Sequence, residues 1–499
     1  MGASFYIENF GCRAARADGE AIAARLLAAR CCEEELARAD VVVVNTCSVT
    51  AEADREARAF IRRARRANPA ARIVATGCYA QRAPEELAAL DGVAAVVGNS
   101  HKALAPEIAL GLMDGREPLR GFVTVGALAG PLVLADDGFA HSFLEETQVT
   151  PGAQTRPNLK IQEGCGNRCS FCVIPQTRGS SRSLPAASVM KQVQGFVAAG
   201  GKELVFSGIN LGRWGRDFVS GRGSEEIEDW SPTHAAGVRR MDGAQETLAG
   251  LVRRIFAETD LARLRLSSIE PMDWDAELIG LMADFGGTRL ARHAHLPLQS
   301  GSDAVLRRMH RRYRPWHYAD KVAALRAAAG PELTLGADVM VGFPGETDAE
   351  FGETMALVRA MDFGYLHLFP FSPRPGTRAW ALHAAAPVAG EVVKERMAAL
   401  RALAAERSRA HRERVMGRTL DAITLHTPKA LAAVGKTAAL TENFLPVELE
   451  GRFEFNQLVR VRVTGLTAEG ALRAAPIETD RVLRQPHQTS KFAGKALGC

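Results

Sequence analysis

No stretch of the 499-residue chain approaches the roughly 20 consecutive apolar residues that a bilayer-spanning helix requires. The first residues, MGASFYIENFGC, lack the basic start and apolar centre of a secretory leader. These two absences make a cytoplasmic protein with no membrane association the expectation. Strong net charge is missing as well: 62 Lys and Arg stand against 57 Asp and Glu, a formal +5. The excess is uneven, since residues 411–499 hold 13 basic and 9 acidic side chains, or +4. Such a segment suits contact with a polyanion, and equally an ordinary solvated surface. Nine cysteines, at positions 12, 31, 32, 47, 78, 165, 169, 172 and 499, are odd in number, which argues against a disulfide framework in a chain without a leader. Clustered thiols in a reducing compartment point to metal instead. The length calls for about two to four domains.

What is present reads first as alternating strands and helices. SFYIENF, ADVVVVN, RIVATG and AAVVGN are strands, separated by helical stretches near 18–30 and 51–67, the second ending at Asn68-Pro69. The β-branched run ADVVVVN suits a strand buried on both faces, so the pattern implies a parallel sheet. Three of these strands run directly into a cysteine, NFGC at Cys12, VNTC at Cys47 and ATGC at Cys78. Strand C-termini share one edge of a parallel sheet, so the three thiols can converge. Cys31 and Cys32 lack that placement and read as ordinary thiols.

Residues 126–157 are rich in Gly, Ala and Pro and read as a linker. Then come NLKIQEG, ELVFSG, RLRLSS, HAHLPL, LGADVMVG and YLHLFPF, six strands separated by helical stretches. Six β/α units over 158–410 suggest a partial (β/α)6 barrel, with its chemistry at the strand C-termini. Those ends supply Gly208, Asn210, Ser268, Glu270, Gln299 and the GFPGE run from Gly342 to Glu346 as cofactor-positioning candidates. Residues 213–244 break the periodicity and read as a surface insertion. Over 411–480 short alternating strands predict a small antiparallel β-barrel. In LVRVRV the valines face one side and Arg460 and Arg462 the other, a pattern suited to nucleic acid. Residues 481–499 read as a flexible tail. The overall class is α/β, with an N-terminal domain over 1–125.

The sharpest local signal is GCGNRCSFC, a Cys-x3-Cys-x2-Cys loop after a strand. Cys165, Cys169 and Cys172 can bind three irons of one [4Fe–4S] cluster and leave the fourth open, because no further cysteine lies nearby. Structural zinc would want four ligands in paired spacing. Arg178 and Arg182 follow the loop and are candidates for a cofactor carboxylate or an RNA phosphate, with a solvated face as the alternative. The helix bearing Arg55, Arg58, Arg62, Arg63, Arg65 and Arg66 is a weaker RNA candidate, since charge runs are usually solvated. The histidines, Met190 and Met340 read as core filling.

That spacing, with Phe171 before the last cysteine, resembles the radical S-adenosylmethionine superfamily. Together with the Cys12, Cys47 and Cys78 trio, LKIQEGCGNRCSFCVIPQTRGSSRS, HLPLQSGSDAVLRRMHRRY and DVMVGFPGETDAEF, the chain resembles the methylthiotransferase family over nearly its whole length. The C-terminal segment is similar to the TRAM RNA-binding domain. The resemblance implies two [4Fe–4S] clusters: a radical-generating one on Cys165, Cys169 and Cys172, and an auxiliary one on Cys12, Cys47 and Cys78 that carries the sulfur. It implies S-adenosyl-L-methionine as cofactor, tRNA position A37 as target, and an electron donor such as a flavodoxin or ferredoxin. A monomer is the default. NTCSVT, LSSIEP, MHRRY and FPFSPRPGT look most like the branch acting on N6-threonylcarbamoyladenosine. The alternatives are the N6-isopentenyladenosine branch, the branch modifying an aspartate of a small-subunit ribosomal protein, and a non-catalytic iron–sulfur electron carrier or RNA scaffold. One departure stands out: Ala15 occupies a position where the family usually has Asn.

Overall fold

The computed structural model describes residues 3–114, 130–141, 143, 149, 155–219 and 246–477, and every structural statement concerns these. Six parallel strands form the N-terminal sheet, in the spatial order Cys32–Glu33, Ser4–Asn9, Val41–Thr46, Arg72–Gly77, Val93–Gly98, Leu132–Leu134. The central VVVVNT strand is fully buried, and its alternation feeds two cores. Val42 and Val44 meet Phe60 and Ile61 of the helix Ala51–Ala67, while Val41 and Val43 meet Ile22, Leu26 and Ile108 on the other face. Thr50 caps that helix through its side chain, which accepts from the Ala53 amide. The short strand Leu132–Leu134 adds a sixth member to the sheet inside the stretch read as linker. Its three residues lie between Gly130-Pro131 and Asp136-Asp137, turn formers that hid so brief an apolar run.

The barrel strands are Asn158–Glu163, Glu203–Gly208, Arg263–Leu266, His293–His295, Thr334–Val341 and Phe363–Pro370, all parallel to their neighbours. Single bridges at Leu264–Leu290 and Ser268–His295 carry the curve across its middle. A two-residue strand, Arg182–Ser183, pairs antiparallel on the first strand's free side. The N-terminal helix Arg13–Ala28 packs against the first two barrel strands, so the two domains share one interior face. Of the predicted insertion, residues 213–219 belong to the barrel: Trp214 is 1% exposed and its indole donates to the Leu184 carbonyl at 2.9 Å. Residues 220–244 lie outside the described residues, as does the tail 481–499.

After the long helix Gly390–Glu413 the chain closes a five-stranded barrel, in the order Thr419–Thr424, Lys436–Thr441, Pro446–Glu450, Leu472–Pro476, Leu458–Leu466. The purely antiparallel expectation is corrected here. An odd number of strands cannot alternate direction around a closed ring, and the Pro446–Glu450 and Leu472–Pro476 pair is parallel. Val461 and Val463 point inward; Arg460 and Arg462 are exposed. The turn between Lys436–Thr441 and Pro446–Glu450 docks on the larger barrel. There Glu442 accepts from Arg292 at 2.5 Å, and Asn443 donates to the Glu332 carbonyl at 2.9 Å. That docking delivers Phe444 to the site described next.

Candidate active site

The barrel strands open at their C-terminal ends onto a cavity of about 600 Å³. Cys165, Cys169 and Cys172 line it on the side of the first strand, and Cys12 lines it on the N-terminal-domain side.

The loop with the first trio starts at Gly164, in the left-handed region (φ +68°), where a Cβ would sit 1.9 Å from the Ser180 carbonyl oxygen. Asn167 N–H donates to Cys165 Sγ at 3.4 Å, and Arg311 donates to Cys169 Sγ at 3.4 Å. Glu270 holds Arg311 in place through a 2.5 Å ion pair. Burial first, and neighbouring thiols after it, push Cys165 up to about 11 and Cys172 up to about 12.

In the second trio, Cys12 precedes the helix Arg13–Ala28, Cys47 follows its strand, and Cys78 opens the helix Cys78–Arg82. A Cβ on Gly11 (φ +99°) would lie 2.8 Å from Cys47 Sγ, so the first two loops touch. Burial, then Cys78 and Cys12, push the Cys47 thiol up to about 12. Thiols held this high ionise readily only with a cation among them. Among the described residues, the one group of three His, Cys, Asp or Glu whose ligand atoms all lie within 4.8 Å is His295, Asp338 and His367. The sulfurs of each trio are therefore spread too widely for a single ion, and a multi-iron cluster suits the donor set.

Below the second trio lies a buried charge network. Arg178 donates to Glu163 at 2.6 Å, to Asp18 at 3.3 Å and, through Nε, to Cys78 Sγ at 3.3 Å. Lys160 donates to Asp18 at 2.5 Å and also to Glu163, and Lys102 donates to Asp18. Burial opposes the charge on Asp18, but Lys102, Lys160 and Arg178 outweigh it and hold the carboxyl below its usual range. Glu163 is lowered in the same way. Three cations face two anions, leaving a positive charge beside the Cys78 sulfur. A second clamp fixes the cysteine loops. Asp54 and Ser48 bind Arg82, at 2.8 and 2.7 Å, and also Arg374 of the barrel.

The cavity brings together Gly208, Asn210, Ser268, Glu270 and Gln299, as the strand ends suggested. Both side-chain polar atoms of Asn210, and Oε1 of Gln299, are buried without a hydrogen-bond partner. Gly342 and Glu346 lie away from it. The Glu346 carboxylate accepts from the Gly342 amide at 2.7 Å and from Arg396 at 3.0 Å, which closes their turn onto the long helix. Arg178 is fully buried and bound to protein groups, so the reading as a cofactor or phosphate contact does not hold for it. Arg182 stacks over Phe139 and bonds the Arg178 carbonyl. On the basic helix, Arg55 pairs with Glu52, Arg58 with Tyr79 and Glu86, and Arg65 with Asp91. At position 15 the backbone carbonyl serves: Asn45 donates to Ala15 O and to Asn9.

Sequence reasoning missed the opposite wall: Arg13, His293, His295, Arg311, Tyr365 and His367. For the three histidines and Tyr365 the signal was there, since HAH and YLH place alternate residues on one face of a barrel strand. Tyr365 and the His293 ring share a 2.7 Å hydrogen bond. Burial, then Arg265 and Arg13, depress His293 far below the usual imidazole range, which keeps it neutral.

A partial parallel barrel with a thiol trio beyond its first strand, facing further thiols across one cavity, is the architecture of a radical S-adenosylmethionine enzyme. A model described as Uncharacterized protein family UPF0004 matches residues 4–98, and the Radical SAM superfamily model matches residues 159–358. The threonylcarbamoyladenosine tRNA methylthiotransferase MtaB of Bacillus subtilis is 34% identical over 85% of this chain and 85% of its own. The MtaB of Aquifex aeolicus is 33% identical over 85% and 91%. The tRNA-2-methylthio-N(6)-dimethylallyladenosine synthase of Cereibacter sphaeroides is 33% identical over 92% and 95%. The chain belongs to the radical S-adenosylmethionine methylthiotransferase family. It is an enzyme of methylthio transfer, and a [4Fe–4S] cluster and S-adenosylmethionine go with that assignment.

Proposed function

We propose that this enzyme methylthiolates C2 of N6-threonylcarbamoyladenosine at position 37 of tRNA. The supporting observation is the single cavity bounded by Cys12 on one wall and by Cys165, Cys169 and Cys172 on another. In this reading Cys165, Cys169 and Cys172 hold the radical-generating cluster, and Cys12, Cys47 and Cys78 a second, sulfur-carrying one. When bound, these groups and S-adenosylmethionine supply a deoxyadenosyl radical and the sulfur, chemistry that an aromatic C–H bond demands and that acid–base groups do not provide.

The chain's own residues do the positioning. Glu270 orients Arg311 toward Cys169. Asn210, Ser268 and Gln299 offer polar atoms to the cofactor, those of Asn210 and Gln299 Oε1 being uncommitted. Gly208 lets its strand end press against Gln162, where a Cβ would come within 2.6 Å of the neighbouring Cβ. Arg460 and Arg462 form an exposed basic row suited to RNA phosphates. Gly342 and Glu346 support the turn rather than the cofactor. A flavodoxin or ferredoxin as electron donor, a monomer and a cytoplasmic location complete the reading. The dimethylallyladenosine synthase relative, at nearly the same identity as the MtaB proteins, favours N6-isopentenyladenosine as the second reading.

Mass analysis of tRNA nucleosides from cells with and without the gene tests the proposal. The expected result is loss of 2-methylthio-N6-threonylcarbamoyladenosine alone. Loss of the isopentenyl product would decide for the second reading, and unchanged tRNA would refute both.

A further inference from the structure

Arg13 directly follows the candidate ligand Cys12 and lines the same cavity, half-buried. The other buried arginines around it are committed. Arg265 and Arg263 donate to Glu203 at 3.0 and 3.3 Å, Arg156 lies 3.6 Å from the same carboxylate, and Arg311 binds Glu270. Among the described residues the Arg13 guanidinium makes no hydrogen bond and no ion pair. It is not loose, however. Its guanidinium carbon lies 5.5 Å from the centroid of the Phe444 ring, which the small C-terminal barrel delivers. Phe444 in turn packs on His293, with ring centroids 4.5 Å apart, and on Tyr365, at 5.5 Å.

The surroundings favour an anion. Arg156, Arg263 and Arg265 share the single Glu203 carboxylate and Arg13 adds a fourth cation nearby, so this end of the cavity carries excess positive charge. Next to it lies His295, facing the Asp338 carboxylate. His295 is 8% exposed, and neither ring nitrogen makes a hydrogen bond, although Nε2 lies 3.3 Å from Asp338. A planar guanidinium stacked on an aromatic ring, with its donor edge free, is preorganised for a two-point carboxylate contact.

We infer that Arg13 reads the carboxylate of the threonylcarbamoyl group, and so sets the choice between an anionic and an apolar N6 substituent. The inference rests on the substrate proposed above. Its geometry follows from adenine itself: C2 and the carbon bearing N6 flank the same ring nitrogen. A base that presents C2 to the wall containing Cys12 therefore brings its N6 substituent close to that wall. The isopentenyl group has no charge to offer there, and burying an unpaired guanidinium against it is costly. A backbone phosphate is the other anion available, but Arg13 lines the same cavity as the cysteines rather than an outer face.

The test measures binding of three anticodon stem-loops, with A37, N6-isopentenyladenosine or N6-threonylcarbamoyladenosine, to the reconstituted full chain with S-adenosylmethionine. Wild type is expected to prefer the threonylcarbamoyl loop. In R13Q that preference should fall about tenfold, equivalent to ~1.4 kcal/mol, with iron and acid-labile sulfide unchanged. R13K, which keeps the charge but not the fork, should retain part of it. An equal loss for all three loops would assign Arg13 to phosphate and overturn the inference, as would an R13Q preference equal to that of wild type. A wild-type enzyme that prefers the isopentenyl loop would instead refute the substrate reading, before any variant is considered.

Discussion

Replacing Cys12 with alanine should remove about half of the iron and acid-labile sulfide from the reconstituted protein. Cleavage of S-adenosylmethionine to 5′-deoxyadenosine should survive, while methylthiolated tRNA disappears. The separation follows from the geometry. Cys165, Cys169 and Cys172 sit on one loop, anchored by its own backbone contacts and by Arg311. None of those contacts involves the N-terminal sheet. Cys12 is exposed to the cavity at the start of a helix, whereas Cys47 and Cys78 are buried behind it. Removing it opens the face of the second trio that meets the substrate. Changing a mere neighbour of a metal ligand costs about 10–100-fold, so loss of a ligand should cost more than 100-fold in product. Parallel assays of iron, 5′-deoxyadenosine and modified nucleoside read all three quantities. Product formation by C12A would sink the two-cluster assignment.

Arg178→Ala should be strongly destabilising. Arg178 is fully buried and binds Glu163, Asp18 and Cys78 together. It also joins the barrel to the N-terminal helix, since Asp18 belongs to Arg13–Ala28. Removing it leaves two buried carboxylates with Lys102 and Lys160 alone, and Lys102 is already pulled down to about 8 by burial. Breaking a buried ion pair by deleting one partner costs about 3–5 kcal/mol. A thermal midpoint lower by roughly 4–6 °C is therefore expected, together with weakened iron retention at the Cys78 trio. R178K should recover part of the stability but less of the iron, because lysine cannot reach the sulfur and both carboxylates at once. Calorimetry and iron analysis on the same samples check this. A midpoint unchanged in R178A would show that the network does not hold the two domains together.

The parts of this protein that were legible in the sequence are those encoded locally. The spacing of Cys165, Cys169 and Cys172 announces itself within eight residues. The cysteines at 12, 47 and 78 could be brought together only because each ends a strand of a parallel sheet, where topology fixes which ends are neighbours. The alternation in LVRVRV likewise gave the inward valines and outward arginines of the small barrel. What stayed hidden depends on distant partners. Arg178 resembled a surface arginine because nothing nearby in the sequence announces Asp18 or Lys102, 160 and 76 positions away. His293, His295 and His367 looked like core filling, since a strand pattern shows that residues share a face but not that the face borders a cavity. Glu346 looked like a cofactor ligand because Arg396, which engages it, comes 50 residues later. The parallel pair in the small barrel follows from the strand count, and the fifth strand, Leu472–Pro476, has Leu472 as its one large apolar residue to announce it.

The most direct test of the account uses a threonylcarbamoyladenosine stem-loop carrying deuterium at C2 of the target base, incubated with the reconstituted enzyme and S-adenosylmethionine. If the radical and the sulfur meet at that carbon in one cavity, deuterium should appear in 5′-deoxyadenosine in step with the methylthiolated product. Product formed without deuterium in 5′-deoxyadenosine would contradict it.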